Sequence, residues 1–266
     1  MQLLWIMDQS YDVLPEPDAV YAFSSPLLVP TSPPGVPVDL RPVEKPNRFF
    51  ADSDVGFRLS AFWEGWDLTL NYLYHYDDLP VLFRTVSLRP EGPLVTLAPR
   101  YKRTHLIGGT FSNAFGDLTI RGEVGFSFKR FFLTNDRDDL DGVVETDLLE
   151  YVVGFDWYRI EETLVSLQVF QSRVTDQVPG LVRDRVDTTL TLLFRREFYN
   201  DTLVAEMIGL HNLNAKDGLI RPKVSYALND NVTVWTGVDL FYGSRKGLFG
   251  QFDQNDRVVF GVEWGI

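Results

Sequence analysis

The feature that most constrains this chain is a regular alternation of apolar and polar residues, repeated in segments of about ten residues. In LTIRGEVGFSFK (118–129), the large apolar residues occupy alternate positions, and Arg121 and Glu123 lie between them. A period of two is typical of a β-strand with one apolar face. About eleven such segments follow residue 50, so the sequence predicts an all-β protein.

The connections between these segments alternate between short and long. Tight turns are predicted at EGWD, AFGD, RIEE, FYND and LNDN, and longer polar loops at residues 77–100, 130–146, 173–182, 212–218 and 244–256. This alternation is typical of an antiparallel up-and-down transmembrane β-barrel, whereas a soluble sandwich has strands of about 5–6 residues and no sorting of loops by length. We predict such a barrel over residues 51–266, with about 12 strands, or the C-terminal part of a larger barrel.

Aromatic residues gather near the predicted short turns, as in the interfacial girdle of a membrane barrel. They are Trp63, Trp66, Trp157, Tyr158, Tyr199 and Trp264. The alternative is that these rings cap the core of a sandwich.

The chain ends in an alternating segment, RVVFGVEWGI, with Val258, Phe260, Val262, Trp264 and Ile266 on one face. Unpaired backbone groups in hydrocarbon cost several kcal/mol each, so we expect the last strand to pair with the first. The segment also resembles the signal read by the barrel-assembly machinery of Gram-negative outer membranes, with Ile266 where that signal favours an aromatic residue. The predicted partners are therefore outer-membrane lipid, lipopolysaccharide and that machinery.

Composition excludes several other classes of protein. A net charge of −12 argues against nucleic-acid binding, and the lack of cysteine excludes disulfides. No apolar run reaches the roughly 18 residues of a transmembrane helix.

Residues 1–50 differ from the rest, because nine of the fifteen prolines lie between Pro15 and Pro46. Proline removes ladder donors, so we predict a loop that folds inward as a lid or packs on the outer rim. A first strand at residues 2–7 would give twelve strands. Alternatively, further strands precede Met1, which we favour because the opening also lacks the features of a signal peptide.

Charged residues of both signs oppose the apolar faces and are predicted to face the lumen. They are Arg58, Arg121, Glu123, Arg185, Asp187, Arg195, Asp239 and Glu263. A balanced wall favours mutual pairing across strands over strong ion selectivity. Such pairs would either stabilise a plugged interior or line a solute path.

Two loops carry weaker hypotheses. The loop TNDRDDLDGVVETD could hold Ca²⁺ through its carboxylates, although an acidic loop is more often simply solvated; the residues are Asp136, Asp138, Asp139 and Asp141. In GSRKGLFGQFDQND, Phe249 and Phe252 are expected at the pore mouth, in contact with a hydrophobic solute, or in a turn stapled to adjacent loops.

The sequence contains no recognisable motif of catalysis or cofactor binding. His75, His105 and His211 are the only histidines, and none lies in a recognisable nucleophile motif. The sequence has neither a phosphate-binding glycine loop nor zinc-ligand spacing. We therefore predict a protein that is not an enzyme and has no cofactor.

A family resemblance adds to this interpretation. RPKVSYAL (221–228), GVDLFYG (237–243) and GLFGQFDQNDR (247–257) resemble the C-terminal end of an uncharacterised family of large proteobacterial outer-membrane proteins. The resemblance implies an outer-membrane location and links the chain to export of lipids or hydrophobic compounds. We expect a channel or transporter for a small hydrophobic solute. The alternatives are a plugged barrel that works beside an inner-membrane exporter and a soluble β-sandwich that binds carbohydrate.

Overall fold

A computed structural model describes residues 1–266 except 8–10, 13, 14, 17, 31, 33, 34, 44, 137 and 266. Ile266, expected on the apolar face of the last strand, is therefore outside the described residues. In the part of the chain that is described, no helix has the length and apolar character to cross a membrane.

The described residues form fifteen β-strands and one short 3₁₀ helix. The strands are β1 (Gln2–Ile6), β2 (Val38–Leu40), β3 (Asp54–Trp63), β4 (Trp66–Tyr76), β5 (Val81–Arg89), β6 (Gly92–Arg100), β7 (Arg103–Phe115), β8 (Leu118–Leu133), β9 (Val143–Trp157), β10 (Thr163–Val174), β11 (Val186–Phe198), β12 (Leu203–Asn212), β13 (Asp217–Asn229), β14 (Val232–Gly243) and β15 (Arg257–Trp264). The 3₁₀ helix η1 (Gly250–Phe252) lies between β14 and β15.

Twelve of the strands form one antiparallel sheet in the order β1-β3-β4-β7-β8-β9-β10-β11-β12-β13-β14-β15. The predicted fold class, an all-β up-and-down arrangement of about twelve strands as in an outer-membrane β-barrel, is confirmed. The sheet is not closed. Within the described residues, β1 pairs only with β3 and β15 only with β14, so the expected seam between first and last strands is not formed.

The five predicted tight turns all connect neighbouring strands of this sheet. In the first of them, Trp63 pairs with Trp66 across Glu64 and Gly65, which have φ angles of 47° and 86°. Positive φ at both central residues matches the right-handed twist of a two-residue hairpin, and glycine adopts it without a steric cost. The short connections therefore lie at one end of the sheet and the longer ones at the other.

The prediction of a polar loop over residues 77–100 is wrong. Strands β5 and β6 form a hairpin there, and β2 adds to β6 in parallel to make a separate three-stranded sheet. Leu82, Val95 and Leu97 are buried in this sheet. The other long connections are shorter than predicted where strands continue into them, as β8 and β9 do.

The strand register divides the large sheet into two faces, because alternate residues point to opposite sides. One of them, which we call the apolar face, exposes many large apolar side chains. They include Val55, Leu59, Trp63, Leu70, Ile107, Phe115, Val124, Tyr151, Phe155, Trp157, Leu167, Leu192, Phe194, Met207, Ile220, Val224, Tyr226, Leu240, Val258, Phe260, Val262 and Trp264. The opposite side, which we call the polar face, carries the ion pairs described below.

Candidate functional site

The first ion pair of the polar face joins β8 to β9. Arg121 donates from Nε to Oδ2 of Asp156 over 2.7 Å, and its terminal nitrogen reaches Oδ1 over 3.3 Å. The two residues are diagonal neighbours, because Thr119 is the direct partner of Asp156. Asp156 is buried, so the arginine supplies the charge that a buried carboxylate needs.

A second ion cluster joins the last three strands. Asp239 of β14 accepts the Nε of Arg221 from β13 over 2.7 Å and the Nε of Arg257 from β15 over 2.6 Å. Asp239 has one side-chain oxygen for each arginine and is only 2% exposed. We call these three residues the Asp239 triad.

The two clusters lie at one level of the sheet. Asp156 pairs with Ser166, Ser166 with Leu193, Leu193 with Ile208, and Ile208 with Arg221. Successive cross-strand partners share a face, so this row leads from the first cluster to the second across β9–β13. The polar face therefore carries two ion-paired clusters at one level, with Ser166, Leu193 and Ile208 between them.

Most of the residues predicted to face the lumen lie on this polar face. They are Arg58, Arg121, Glu123, Asp187, Arg195, Asp239 and Glu263. Arg185 does not, because the chain enters β11 only at Val186. Its guanidinium group donates instead to the backbone carbonyl oxygens of Val174 and Thr175. These hydrogen bonds connect the loop between β10 and β11 to the end of β10.

Sequence reasoning missed three residues of these clusters, namely Asp156, Arg221 and Arg257. Asp156 lies between the apolar residues Phe155 and Trp157 in an alternating segment, so the alternation could have assigned it to the polar face. Arg221 likewise alternates with Ile220, whereas Arg257 is the first residue of its strand and has alternation on one side only.

Part of the proline-rich segment lies across the polar face at the long-loop end. We call residues 18–30 the strap. The ring of Tyr21 packs against Phe241 of β14 and Phe252 of η1, with ring centroids 6.3 and 5.5 Å away. Phe241 is the partner of Leu219 and shares its face with Asp239, so the strap contacts the polar face directly.

Hydrogen bonds fasten the strap to the β14–β15 loop. The backbone N–H groups of Ser24 and Ser25 donate to Oε1 of Gln251 over 2.8 and 3.0 Å. The Ser25 hydroxyl donates to the carbonyl oxygen of Lys246 over 2.6 Å, and the Asn255 amide donates to the carbonyl oxygen of Val20 over 2.8 Å. This network joins a segment near the chain start to the last hairpin.

The two loop phenylalanines have different surroundings. Phe252 packs against Tyr21, Phe23 and Phe241. The backbone N–H of Phe249 donates over 2.7 Å to the buried carboxylate of Asp217. Both side chains are half-buried, so the stapled-loop alternative describes their surroundings better than exposed aromatics at an open mouth do.

The acidic loop uses its carboxylates on its own backbone. Asp139 accepts the N–H groups of Asp141 and Gly142, Asp136 accepts that of Asp138, and Asp141 accepts that of Val143. No group of three or more His, Cys, Asp or Glu side chains among the described residues is placed to hold a metal ion. The loop therefore gives no support to the weak Ca²⁺ prediction.

Asp52 lies just before β3, outside the strands of the large sheet, and holds several groups through hydrogen bonds. It accepts hydrogen bonds from the Arg48 guanidinium over 2.9 and 3.2 Å and from the Tyr76 hydroxyl over 3.1 Å. The side-chain hydrogen bond from Arg48 is the main reason that the pKa of Asp52 lies well below its usual value.

Comparisons with known proteins give likenesses to solved structures only. No family model and no curated protein matches the chain. Among solved structures, outer membrane phospholipase A from Escherichia coli is similar, with 14% sequence identity, 80% of this chain and 81% of that chain covered, and a TM-score of 0.32. The prediction that the protein is not an enzyme is contradicted by this comparison, because the similar structure is that of an enzyme. A TM-score of 0.32 assigns no activity to this chain.

Proposed function

We propose that this chain is an outer-membrane β-barrel of a Gram-negative bacterium and that it passes a small hydrophobic solute across that membrane. The observation that carries the membrane proposal is the apolar face, whose large side chains are exposed along most strands of the sheet. Soluble monomers rarely expose contiguous apolar patches above a few hundred Å². A bilayer is the environment in which this face is stable.

Aromatic belts at both ends of the apolar face support the same proposal. At the short-turn end lie Trp63, Phe115, Trp157, Tyr226 and Trp264. At the long-loop end lie Tyr72, Tyr74 and Tyr242. Val232 is the cross-strand partner of Trp264 and lies about 34 Å along β14 from Tyr242. In a strand tilted by about 40° from the membrane normal, this length spans a height of about 25 Å, which is the height of the apolar band of a membrane barrel.

The polar face supplies the proposed path. If the sheet curls with its apolar face toward lipid, the two ion clusters line the interior. The aromatic cluster of Tyr21, Phe241 and Phe252 lies at the long-loop end of this path. It offers an apolar surface at the point where a solute would enter or leave.

The strap supports the alternative of a plugged barrel that works beside an inner-membrane exporter. It lies across the polar face and is hydrogen-bonded to the last loop, as an occluding segment would be. The sequence resemblance to large outer-membrane proteins is compatible with both versions. We further propose outer-membrane lipid, lipopolysaccharide and the barrel-assembly machinery as partners.

Two measurements test these proposals. We expect the refolded protein to require detergent or lipid, and monodisperse recovery without either would exclude the membrane barrel. We expect planar-bilayer conductance, together with swelling of protein-containing liposomes in small apolar-substituted solutes. A folded, bilayer-inserted protein without conductance or swelling would exclude the open channel and leave the plugged barrel.

A further inference from the structure

We infer that the polar face between β12 and β15 binds a singly charged anion with an apolar body, such as a medium-chain carboxylate. The inference rests on the proposed function, because it names the class of solute that the path would accept. Its site consists of the Asp239 triad and the apolar residues beside the triad.

The triad presents positive charge to its surroundings. Its two arginines and one carboxylate have a net charge of +1. The carboxylate of Asp239 is 2% exposed, whereas the side chains of Arg221 and Arg257 are 49% and 46% exposed. The negative charge is therefore covered by the two guanidinium groups, and an approaching solute meets the cations first.

The arginines retain donors for a ligand. A guanidinium group has five N–H bonds in a planar fork that matches a carboxylate. Arg221 donates its Nε–H to Asp239, and its terminal nitrogens have no hydrogen-bond partner among the residues that the structure describes. Arg257 also donates its Nε–H to Asp239, and its guanidinium carbon lies 5.0 Å from the centroid of the Tyr21 ring.

An apolar surface adjoins these donors on the same face. The next positions on the same face toward the long-loop end, about 7 Å along the strands, are Leu219 on β13 and Phe241 on β14. Leu219 is also the partner of Leu210 on β12. Tyr21 contacts both Phe241 and Arg257, so its ring joins the apolar surface to the cationic one.

In the other direction along the strands, the charges of the polar face alternate in sign. Lys223 lies 4.0 Å from Glu263, and its cross-strand partner Glu206 is in turn the partner of Arg195. A carboxylate with a short hydrocarbon chain can thus place its head on Arg221 and Arg257 and its chain against Phe241 and Leu210, which are half-buried, whereas Leu219 between them is buried. A cation or a purely polar anion can use only one half of this arrangement.

The test uses the full chain refolded into lipid nanodiscs, with octanoate as the probe and octylammonium and octanol as matched probes. Isothermal titration calorimetry, corrected with protein-free nanodiscs, should give octanoate at least about 10-fold tighter binding than either. Acetate should bind more weakly than octanoate. Equal affinity for octanoate and octylammonium would overturn the inference.

Variants then locate the site. Arg221→Gln should weaken octanoate binding by about 10-fold, because it removes one charged donor pair while Arg257 still neutralises Asp239. Arg195→Gln, which changes an arginine of the same face that bonds to Glu197, should leave binding unchanged. Unchanged octanoate affinity in a folded Arg221→Gln protein would overturn the inference. If that variant does not refold, Arg257→Gln is the equivalent substitution, and the comparison of the three probes on the natural chain decides the matter without any variant.

The binding measurement and the conductance measurement can have different outcomes, which distinguishes the site from the channel. Octanoate binding without conductance would support the site and exclude the open channel. Conductance without a preference for octanoate would support the channel and exclude this solute class.

Discussion

The guanidinium carbon of Arg257 lies over the ring of Tyr21, 5.0 Å from its centroid, although the two residues are near opposite ends of the chain. Arg257 begins the last strand and belongs to the Asp239 triad. The strap is therefore attached to the wall of the sheet through a residue that also holds a buried charge. A change in Tyr21 should alter access to the polar face without removing a wall strand.

Tyr21→Ala should loosen the strap. The substitution removes a cation–π contact, two aromatic contacts and the hydrogen bond from the Tyr21 hydroxyl to the carbonyl oxygen of Asn255, worth together about 2–5 kcal/mol. We expect higher conductance and faster protease cleavage within residues 18–30. Tyr199→Ala, at an exposed short turn, is the matched control and should change neither. A Tyr21→Ala protein with unaltered cleavage and conductance would show that the strap is held elsewhere.

Asp239→Ala should destabilise the fold. It leaves two guanidinium groups side by side without their carboxylate, and because both are about half exposed and screened by solvent, we expect a cost of about 1–3 kcal/mol. The free energy of unfolding in urea, measured in lipid vesicles, checks this value. Glu263→Ala removes an exposed carboxylate 4.0 Å from Lys223 and should cost no more than about 1 kcal/mol. Equal losses in the two variants would contradict the role of the triad.

Leu192→Arg should be far more costly than Thr191→Arg. Leu192 lies mid-strand on the apolar face, and Thr191 is its neighbour on the polar face. An arginine facing the bilayer midplane costs about 2–4 kcal/mol, whereas one facing a polar interior is tolerated. The fraction folded in lipid at increasing urea concentration measures the difference. A larger loss for Thr191→Arg would reverse our assignment of the faces.

The stability contributed by Asp52 should depend on pH. Its pKa in the folded protein is lowered by the Arg48 hydrogen bonds, so the contribution is complete above the ordinary carboxyl pKa of about 3.9 and is lost as the pH falls through the lower folded value. Asp52→Asn should therefore destabilise the protein at pH 7 and progressively less below about pH 4. Chemical unfolding of both proteins across this range checks the sign. A destabilisation that grows toward acid would contradict it.

We expect β1 and β15 to pair in a bilayer, although they are the open edges of the described sheet, because unpaired strand edges in hydrocarbon cost several kcal/mol per group. The chain has no cysteine, so introduced cysteines report this contact cleanly. Leu4→Cys should form a disulfide with Gly261→Cys or Glu263→Cys, which share its face, after oxidation in vesicles. Leu3→Cys, on the opposite face, should not. If neither pair on the polar face crosslinks, another strand covers these edges.

Alternation predicted the large sheet well, because a strand that is apolar on one side and polar on the other carries its orientation in its own sequence. The segment that contains Arg121 and Glu123 illustrates this. The β5–β6 hairpin was missed although Val81–Arg89 also alternates in part, since its buried residues serve a separate small sheet and its strands lie between prolines and turns.

The candidate site was less accessible from sequence. Parity could have identified Asp156 and Arg221, but the pairing of Asp239 with two arginines depends on the register of three strands. The contact between Tyr21 and Arg257 depends on the path of a proline-rich segment that has no periodicity. Neither the register nor that path is encoded in a local pattern.

The order of strands also bears on how the protein assembles. From β8 to β14, each strand of the large sheet pairs with the strands that precede and follow it in the chain. Contacts of this kind close small loops, so successive hairpins can add to a growing edge at little entropic cost. The strap is the exception, since its contacts with the β14–β15 loop close a loop of almost the whole chain. Its docking is therefore the step whose rate depends on chain length, and it can be completed only after the final hairpin has formed.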